Sequence, residues 1–219
     1  MSSRKLEQIT CSCGHCFEAE LWTSLSIADD PELKEALEAG EINVVCCPSC
    51  NTVFHVDHFL LYHDSNSELL VFVYPCSFSS QEEHLTRKMN EDTDNALASL
   101  PEGQRFSYRP ILAFGLDELL TIVRQEDEWE DELAIAEYLA EEFHFELVRL
   151  HPAVARRQSL PRLLPCLPLP GKDTRSCILA GLRLLLQHNE YLTHFRTVCE
   201  RIEQDPGWAL AADMVVKKN

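Results

Sequence analysis

Six of the ten cysteines in this 219-residue chain lie in two short groups, namely Cys11, Cys13 and Cys16, then Cys46, Cys47 and Cys50. Two cysteines placed two or three positions apart on a tight turn present two thiolates to one metal ion. Two such turns, which we call knuckles, complete the four-ligand tetrahedron of a structural Zn²⁺ site. The spacing therefore predicts one zinc site shared by the two groups.

The two groups differ in how clearly they define a knuckle. Cys47-Pro48-Ser49-Cys50 is a C-P-x-C turn and defines the second knuckle. In the first group, Cys13 and Cys16 have the commoner C-x-x-C spacing, whereas Gly14 after Cys13 suits the left-handed residue at which a knuckle turns back. The glycine favours Cys11 over Cys16, which stays open as the alternative. The predicted metal ligands are Cys11, Cys13, Cys47 and Cys50.

The other cysteines have a simpler interpretation. Cysteine is among the most buried residue types, so we expect these to be small core residues: Cys46, Cys76, Cys166, Cys177 and Cys199. A redox dithiol is the rival interpretation of the C-x-x-C spacing. Such motifs precede a helix whose N-terminus lowers the thiol pKa, but the residues after Cys50 indicate a strand. His15 is expected to be an exposed turn residue.

A second candidate for chemistry is the group His55, Asp57, His58, His63 and Asp64. In strand alternation His55 and Asp57 share a face, which allows a catalytic metal site and hence a hydrolase. No H-E-x-x-H helix or carboxylate facial triad accompanies them. Exposed polar positions on a half-buried sheet are the other interpretation of this group.

The acidic run from Glu126 to Glu132 has no central glycine, which an EF-hand loop requires. We expect a solvated acidic turn between two helices, with docking of a basic partner as the second interpretation. The chain has seven glycines, with neither a phosphate-binding glycine loop nor a G-x-S-x-G turn. It therefore lacks the common motifs of nucleotide-binding proteins and serine hydrolases.

The elements that position these residues follow from periodicity. Val-, Ile-, Phe- and Tyr-rich runs predict an antiparallel meander at residues 42–46, 52–57, 59–63 and 68–74, with a further strand at 109–114. Apolar residues at helical spacing predict a short helix after Pro31 and helices at 82–97, 116–128, 132–147, 175–188 and 190–204. The predicted fold is α+β, with N-terminal zinc-ribbon-like antiparallel β hairpins, helical additions and a C-terminal helical hairpin.

The net charge of −17 is unevenly distributed. Residues 1–150 carry −21 and residues 151–219 carry +4, and five of the eleven prolines lie in residues 151–172. We predict a domain at 1–150, a Pro-rich, leucine-rich connector at 151–172 and a helical hairpin at 173–219. The acidity of residues 1–150 disfavours nucleic-acid binding. The only basic surface that could support it comes from the C-terminal part, with Arg156, Arg157, Arg162, Arg175, Arg183 and Lys217.

The N-terminal residues and the lengths of the apolar stretches indicate the cellular location. The first ten residues contain no apolar run of signal-peptide length, and the longest apolar stretches are far below the roughly 20 residues that span a bilayer. We expect no membrane association and a cytoplasmic location. Ten cysteines in a reducing compartment indicate thiols or metal ligands rather than disulfides.

Four segments of the chain carry a family resemblance. They are residues 9–18 (ITCSCGHCFE), 30–33 (DPEL), 47–50 (CPSC) and 60–64 (LLYHD), and the similarity continues through 109–119 (RPILAFGLDEL). This pattern resembles the bacterial and archaeal CpXC domain, although only Ser12 separates the cysteines of the first knuckle. The resemblance implies a zinc-ribbon-like cysteine site over about the first two-thirds of the chain and supplies no substrate.

These observations predict a zinc-binding protein whose four-cysteine site is structural. We expect it to act through protein–protein contacts as an interaction or regulatory module. The alternative is an enzyme, either a dithiol oxidoreductase or a hydrolase that uses the group from His55 to Asp64.

Overall fold

A computed structural model of the chain describes residues 1–101, 105–106, 108–211 and 214–216. The chain divides into two compact units, Met1–Val123 and Arg124–Asn219, called unit 1 and unit 2 below. Unit 1 contains 7 basic and 20 acidic residues, a charge of −13, and unit 2 contains 12 and 16, a charge of −4. Both units are therefore acidic. Among the described residues, no helix has the length and apolar character needed to cross a membrane.

Unit 1 is mainly β structure. Its elements are β1 (Ser3–Thr10), β2 (Cys16–Ser26), α1 (Glu32–Glu38), β3 (Val44–Cys46), β4 (Val53–His55), β5 (Leu60–Asp64), β6 (Leu69–Tyr74), a 3-10 helix (Cys76–Gln81), α2 (Glu82–Ser99) and β7 (Ile111–Phe114). Helix α3 (Leu116–Phe143) begins in this unit. The predicted helix after Pro31 is confirmed as α1, which buries Leu33 and Leu37 before Gly40, at φ +72°, reverses the chain.

Five strands form the main sheet in the order β1-β2-β5-β6-β7. The pairs β1/β2 and β5/β6 are antiparallel, whereas β2/β5 and β6/β7 are parallel. Strands β3 and β4 form a separate antiparallel hairpin, so the prediction of one continuous meander is wrong. The parallel pairing places Leu25 of β2 opposite Tyr62 of β5, and both are buried in the same core cluster. The short β4 packs the partly buried Phe54 against a different, smaller cluster.

Unit 2 continues α3 and adds β8 (Glu146–Arg149), α4 (Pro152–Arg157), β9 (Leu163–Cys166), α5 (Thr174–His188) and α6 (Thr193–Gln204). The predicted break in the acidic run is absent, since α3 is one helix of 28 residues. The run contains no glycine or proline to end a helix. The helix ends before His144, at φ +56°, so Leu147 lies on β8 rather than on the predicted helix.

The predicted C-terminal helical hairpin is confirmed as α5 and α6, and the α+β class is confirmed with it. The segment 151–172 contains α4 and β9, and β9 pairs with β8 in an antiparallel ladder. Leu160, Leu163 and Leu164 of this segment are buried in the core of unit 2 with the apolar faces of α5 and α6. The leucines that make the segment unusual therefore pack within its own unit.

Candidate metal centre

The first knuckle is the turn between β1 and β2. The Cys11 N–H donates to the His15 carbonyl at 2.9 Å, and the Gly14 N–H donates to the Cys11 carbonyl at 2.8 Å. Gly14 has φ +85°, the left-handed conformation expected from its place after Cys13. No atom lies within 4 Å of a Cβ built on Gly14, so backbone conformation rather than lack of space favours glycine here.

The second knuckle is the turn between β3 and β4. The Cys47 N–H donates to the Thr52 carbonyl and the Asn51 N–H donates to the Cys47 carbonyl, both at 2.9 Å. Asn51 has φ +57° and takes the place that Gly14 has in the first knuckle. Asparagine tolerates this conformation better than most side chains. This role was not among the predictions from the sequence, although an Asn directly after Cys50 is the signal for it.

The two knuckles bring four thiols together. The sulfur atoms of Cys11, Cys13, Cys47 and Cys50 all lie within 4.8 Å of one another. The Cys11 and Cys50 sulfurs are 3.6 Å apart, and the Cys13 and Cys47 sulfurs are 3.8 Å apart. These separations are far longer than a disulfide bond of about 2.05 Å. A tetrahedron with metal–sulfur bonds of about 2.3 Å has sulfur–sulfur edges of about 3.8 Å, so the four thiols fit one tetrahedral metal ion.

Each knuckle contributes one buried and one exposed cysteine to this cluster. Cys11 and Cys47 are buried, while Cys13 and Cys50 are exposed. Beside the knuckles lies a small apolar cluster in which Ile9, Leu21 and Val45 are buried. Three buried side chains form a small core, so the two hairpins gain little of their rigidity from apolar packing.

Hydrogen bonds at the cluster shift the pKa values of two of its thiols, Cys13 and Cys50. Hydrogen bonds from the Thr52 hydroxyl and backbone N–H lower the pKa of the Cys50 thiol to about 6. The His15 backbone N–H lowers the pKa of the Cys13 thiol, but hydrogen bonds with neighbouring thiols and burial raise it to about 12. In the metal-free cluster these hydrogen bonds therefore favour the thiolate of Cys50 and the protonated thiol of Cys13. A bound metal ion requires both in the thiolate form.

Cys16, the open alternative for the first knuckle, lies outside the cluster. Its exposed sulfur is 3.4 Å from the Thr10 hydroxyl, at the start of β2. His15 stacks on Phe17 at 6.2 Å between ring centroids and is exposed, as expected. Cys166, Cys177 and Cys199 are buried, which confirms that part of the core prediction.

Cys46 and Cys76 are exposed, so their assignment to the core is wrong. Cys46 lies opposite Val53 in the β3/β4 ladder, and both point to the exposed face of this hairpin. Cys76 is the first residue of the 3-10 helix, and its N–H donates to the Asp57 carboxylate at 2.9 Å. Both residues occupy the boundary of an element, where the burial preference of cysteine does not determine orientation.

The residues from His55 to Asp64 have separate structural roles. Asp57 binds the Cys76 N–H, His63 Nε2 lies 2.6 Å from the Tyr108 hydroxyl, and Asp64 accepts hydrogen bonds from the Asn66 N–H and the Ser67 hydroxyl. Across the described ranges, the four-cysteine cluster alone brings three or more metal-ligating side chains together. The group therefore does not assemble into the metal site that a hydrolase requires.

The acidic run on α3 pairs with cations of its own unit. Glu126 pairs with Arg156 and Glu130 pairs with Arg162. Arg183 pairs with Glu203, and the Arg175 guanidinium donates to the Ile202 carbonyl at 2.6 Å. Lys217 lies outside the residues that the structure describes. Much of the basic surface expected in the C-terminal part is thus engaged in contacts within unit 2.

Asn43 is a positioning residue that the sequence analysis missed. It is buried with φ +56°, and its side-chain amide forms two hydrogen bonds to the backbone of Trp22 in β2. Its own carbonyl accepts from the Val56 N–H at 2.9 Å, just beyond β4. Asn43 therefore joins the hairpin of the first knuckle to the hairpin of the second.

Comparison with known proteins places the chain in a sequence family. The sequence model of the family described as CpXC protein matches residues 9–135, more than half of the chain. The matched region contains all four clustered cysteines and ends within α3. No curated protein and no solved structure matches the chain.

Proposed function

The chain belongs to the CpXC family, and we propose that its four clustered thiols hold one Zn²⁺ ion in a structural site. The observation that carries the proposal is the pair of sulfur–sulfur distances, 3.6 Å for Cys11–Cys50 and 3.8 Å for Cys13–Cys47. Both are close to the tetrahedral edge of about 3.8 Å that zinc–thiolate bonds require. Four thiolates are the donor set of zinc and iron–sulfur sites, and Cys₄ zinc is the ordinary structural case.

Four protein ligands leave no coordination position for a substrate, which distinguishes a structural site from a catalytic one. In zinc-finger peptides, metal binding contributes an apparent ~10–16 kcal/mol at neutral pH, and that energy serves folding. The small apolar cluster around Ile9, Leu21 and Val45 supplies far less. In this proposal the ion fixes the two knuckles together and gives the β1/β2 and β3/β4 hairpins a defined arrangement.

We also propose that the metal-bound hairpins serve protein–protein contacts in the cytoplasm, where cysteines stay reduced. Val44 and Val53 support this role, because they lie on the exposed face of the β3/β4 hairpin with 40% and 63% of their surface accessible. The charge of −13 on unit 1 suits a basic protein partner and disfavours nucleic acid.

Cobalt substitution tests the proposed coordination. Co²⁺ added to the metal-free, reduced protein should give the intense visible absorption of a tetrahedral thiolate complex, saturating at one equivalent. Zn²⁺ should then displace it stoichiometrically. The Cys16→Ser variant should behave as the native chain, whereas Cys11→Ser should lose the intensity that four thiolates give. Weak, octahedral-type absorption in the native chain would overturn the proposal.

One observation favours a second function, that of a dithiol oxidoreductase. The pKa of the exposed Cys50 thiol is lowered to about 6, as it is for reactive cysteines. The hydrogen bonds of Thr52, which lies beside a strand rather than at a helix N-terminus, account for this shift. A disulfide-reduction assay on the metal-free, reduced protein separates the two functions, since the structural site predicts no catalytic turnover and an oxidoreductase predicts turnover that depends on Cys50.

A further inference from the structure

Strand β1 forms one edge of the five-stranded sheet of unit 1. Its residues 4–10 pair with β2 without a break in register, and in the part of the chain that the structure describes no strand pairs with its other side. The strand is eight residues long and contains no proline, whereas the opposite edge strand, β7, has four residues. A long, regular edge of this kind is a template for pairing with another strand.

The pairing pattern shows which backbone groups face outward. Residue pairs in an antiparallel ladder alternate between those that exchange hydrogen bonds and those that do not. The Cys11 N–H donates to the His15 carbonyl, and the register then makes Lys5, Glu7 and Ile9 the residues that bond to β2. The N–H and C=O groups of Arg4, Leu6 and Gln8 therefore point away from β2 toward the free edge.

The side chains along this edge are self-complementary. Leu6 lies near the middle of the strand and is 57% exposed, as are most of the side chains beside it. Lys5 and Glu7 flank it with opposite charges and contact each other at 3.1 Å on one face of the strand. An antiparallel copy of β1 centred on Leu6 places Leu6 opposite Leu6, Lys5 opposite Glu7 and Glu7 opposite Lys5. Both charge pairs then lie at positions whose side chains approach closely across the ladder.

We propose that β1 is the interface of a symmetric dimer in which two copies of this chain pair through their edge strands. We assign the pairing strand to a second copy of this chain because a twofold axis through Leu6 brings the outward backbone groups, the exposed leucine and the two opposite charges of one copy against their complements in the other. A partner of uniform charge would satisfy either Lys5 or Glu7 and repel the other. The two five-stranded sheets then form one continuous sheet.

An interface of one strand pair is smaller than the roughly 1,200–2,000 Å² of stable complexes, so we expect a dimer that dissociates on dilution. The net charge of −17 on each chain also opposes association at low salt. Sedimentation equilibrium at physiological ionic strength should show the mass rising from 25.0 kDa toward twice that value as concentration increases.

Charge exchange provides the decisive test. Lys5→Glu alone and Glu7→Lys alone each place like charges opposite each other in a homodimer, so each variant should remain monomeric where the native chain is half dimeric. An equal mixture of the two restores both opposite-charge pairs and should dimerise again. Recovery in the mixture also shows that both variants fold.

Two further variants complete the experiment. Lys88→Glu on α2 makes the same change in net charge away from the strand and should dimerise nearly as the native chain does. Leu6→Lys places two cations on the twofold axis at an exposed position and should abolish the dimer while leaving the bound metal unchanged. A native chain that stays monomeric throughout, or an equal loss with Lys88→Glu and Lys5→Glu, would overturn the proposal.

Discussion

The side-chain amide of Asn43 satisfies both backbone polar groups of Trp22. Its Oδ1 accepts from the Trp22 N–H at 2.7 Å, and its Nδ2 donates to the Trp22 carbonyl at 3.1 Å. This contact joins β2, which leaves the first knuckle, to the segment that enters β3 and the second knuckle. The distance between the sulfur atoms of the first knuckle and those of the second thus depends on Asn43, which is not itself a member of the thiol cluster.

Asn43→Ala should reduce the free energy of unfolding of unit 1 by about 2–4 kcal/mol, because it leaves two part-buried backbone groups without partners. Urea unfolding of the metal-free protein measures the change, followed by tryptophan fluorescence, to which Trp22 contributes beside Trp129 and Trp208 of unit 2. Asn95→Ala on the exposed surface of α2 is the matched control and should alter the stability by less than about 0.5 kcal/mol. Equal effects of both substitutions would contradict the role of Asn43.

Gly181→Ala should destabilise unit 2. A Cβ at this position lies 2.5 Å from the Cys166 nitrogen and from the Pro165 carbonyl carbon, so α5 and the β9 backbone would have to separate. Forcing atoms into a packed interior costs about 1–3 kcal/mol, and a clash with rigid backbone is expected at the upper end. Chemical denaturation measures it, with Gly207→Ala as the control, whose Cβ is 3.4 Å from the Asp205 carboxylate.

Glu132→Gln should weaken the attachment of α6 to α3. The Glu132 carboxylate accepts hydrogen bonds from the backbone N–H groups of His194 and Phe195 and from the Thr193 hydroxyl, at 3.1 to 3.3 Å. It replaces a side-chain cap, which Leu192 does not provide. We expect a loss of about 1–3 kcal/mol in thermal or chemical unfolding. Glu137→Gln, which breaks an exposed ion pair with Arg149, should cost well under about 1 kcal/mol.

His63 should make stability fall in mildly acidic solution. Burial lowers the pKa of the His63 imidazole in the folded chain, although the nearby Asp64 carboxylate opposes the shift. The unfolded chain then binds the proton more readily, so stability is fully present above the ordinary histidine value of about 6.5 and declines as the pH falls below it. His63→Gln should remove part of this decline in denaturation curves at successive pH values. Curves for the variant that parallel those of the native chain would contradict the prediction.

Local turn chemistry explains which parts of the site the sequence predicts. Gly14 after Cys13, and the C-P-x-C turn at Cys47–Cys50, determine backbone geometry within a few residues, and the cysteine cluster follows from them. The link between Asn43 and Trp22 joins residues 21 positions apart, and no local pattern encodes such a partner.

The same distinction applies to the fold. Helices α1, α2, α5 and α6 follow from apolar periodicity, but the parallel pairing of β2 with β5 depends on long-range burial of Leu25 and Tyr62. The density of charge in the acidic run is typical of a solvated turn. In the structure Glu126 and Glu130 pair with arginines, and α3 continues through them. Pro165 disfavours the prediction of a strand, so β9 does not follow from the sequence pattern. The proline is tolerated in β9 because its sheet has only two strands.

The metal content of the purified, reduced protein, measured by elemental analysis beside protein concentration, tests the four-cysteine zinc site most directly. We expect about one zinc per chain in the native protein and in Cys16→Ser, and almost none in Cys47→Ser, which removes a buried member of the thiol cluster. A native protein that is folded and free of metal, or a Cys47→Ser variant that retains as much zinc as Cys16→Ser, would contradict it.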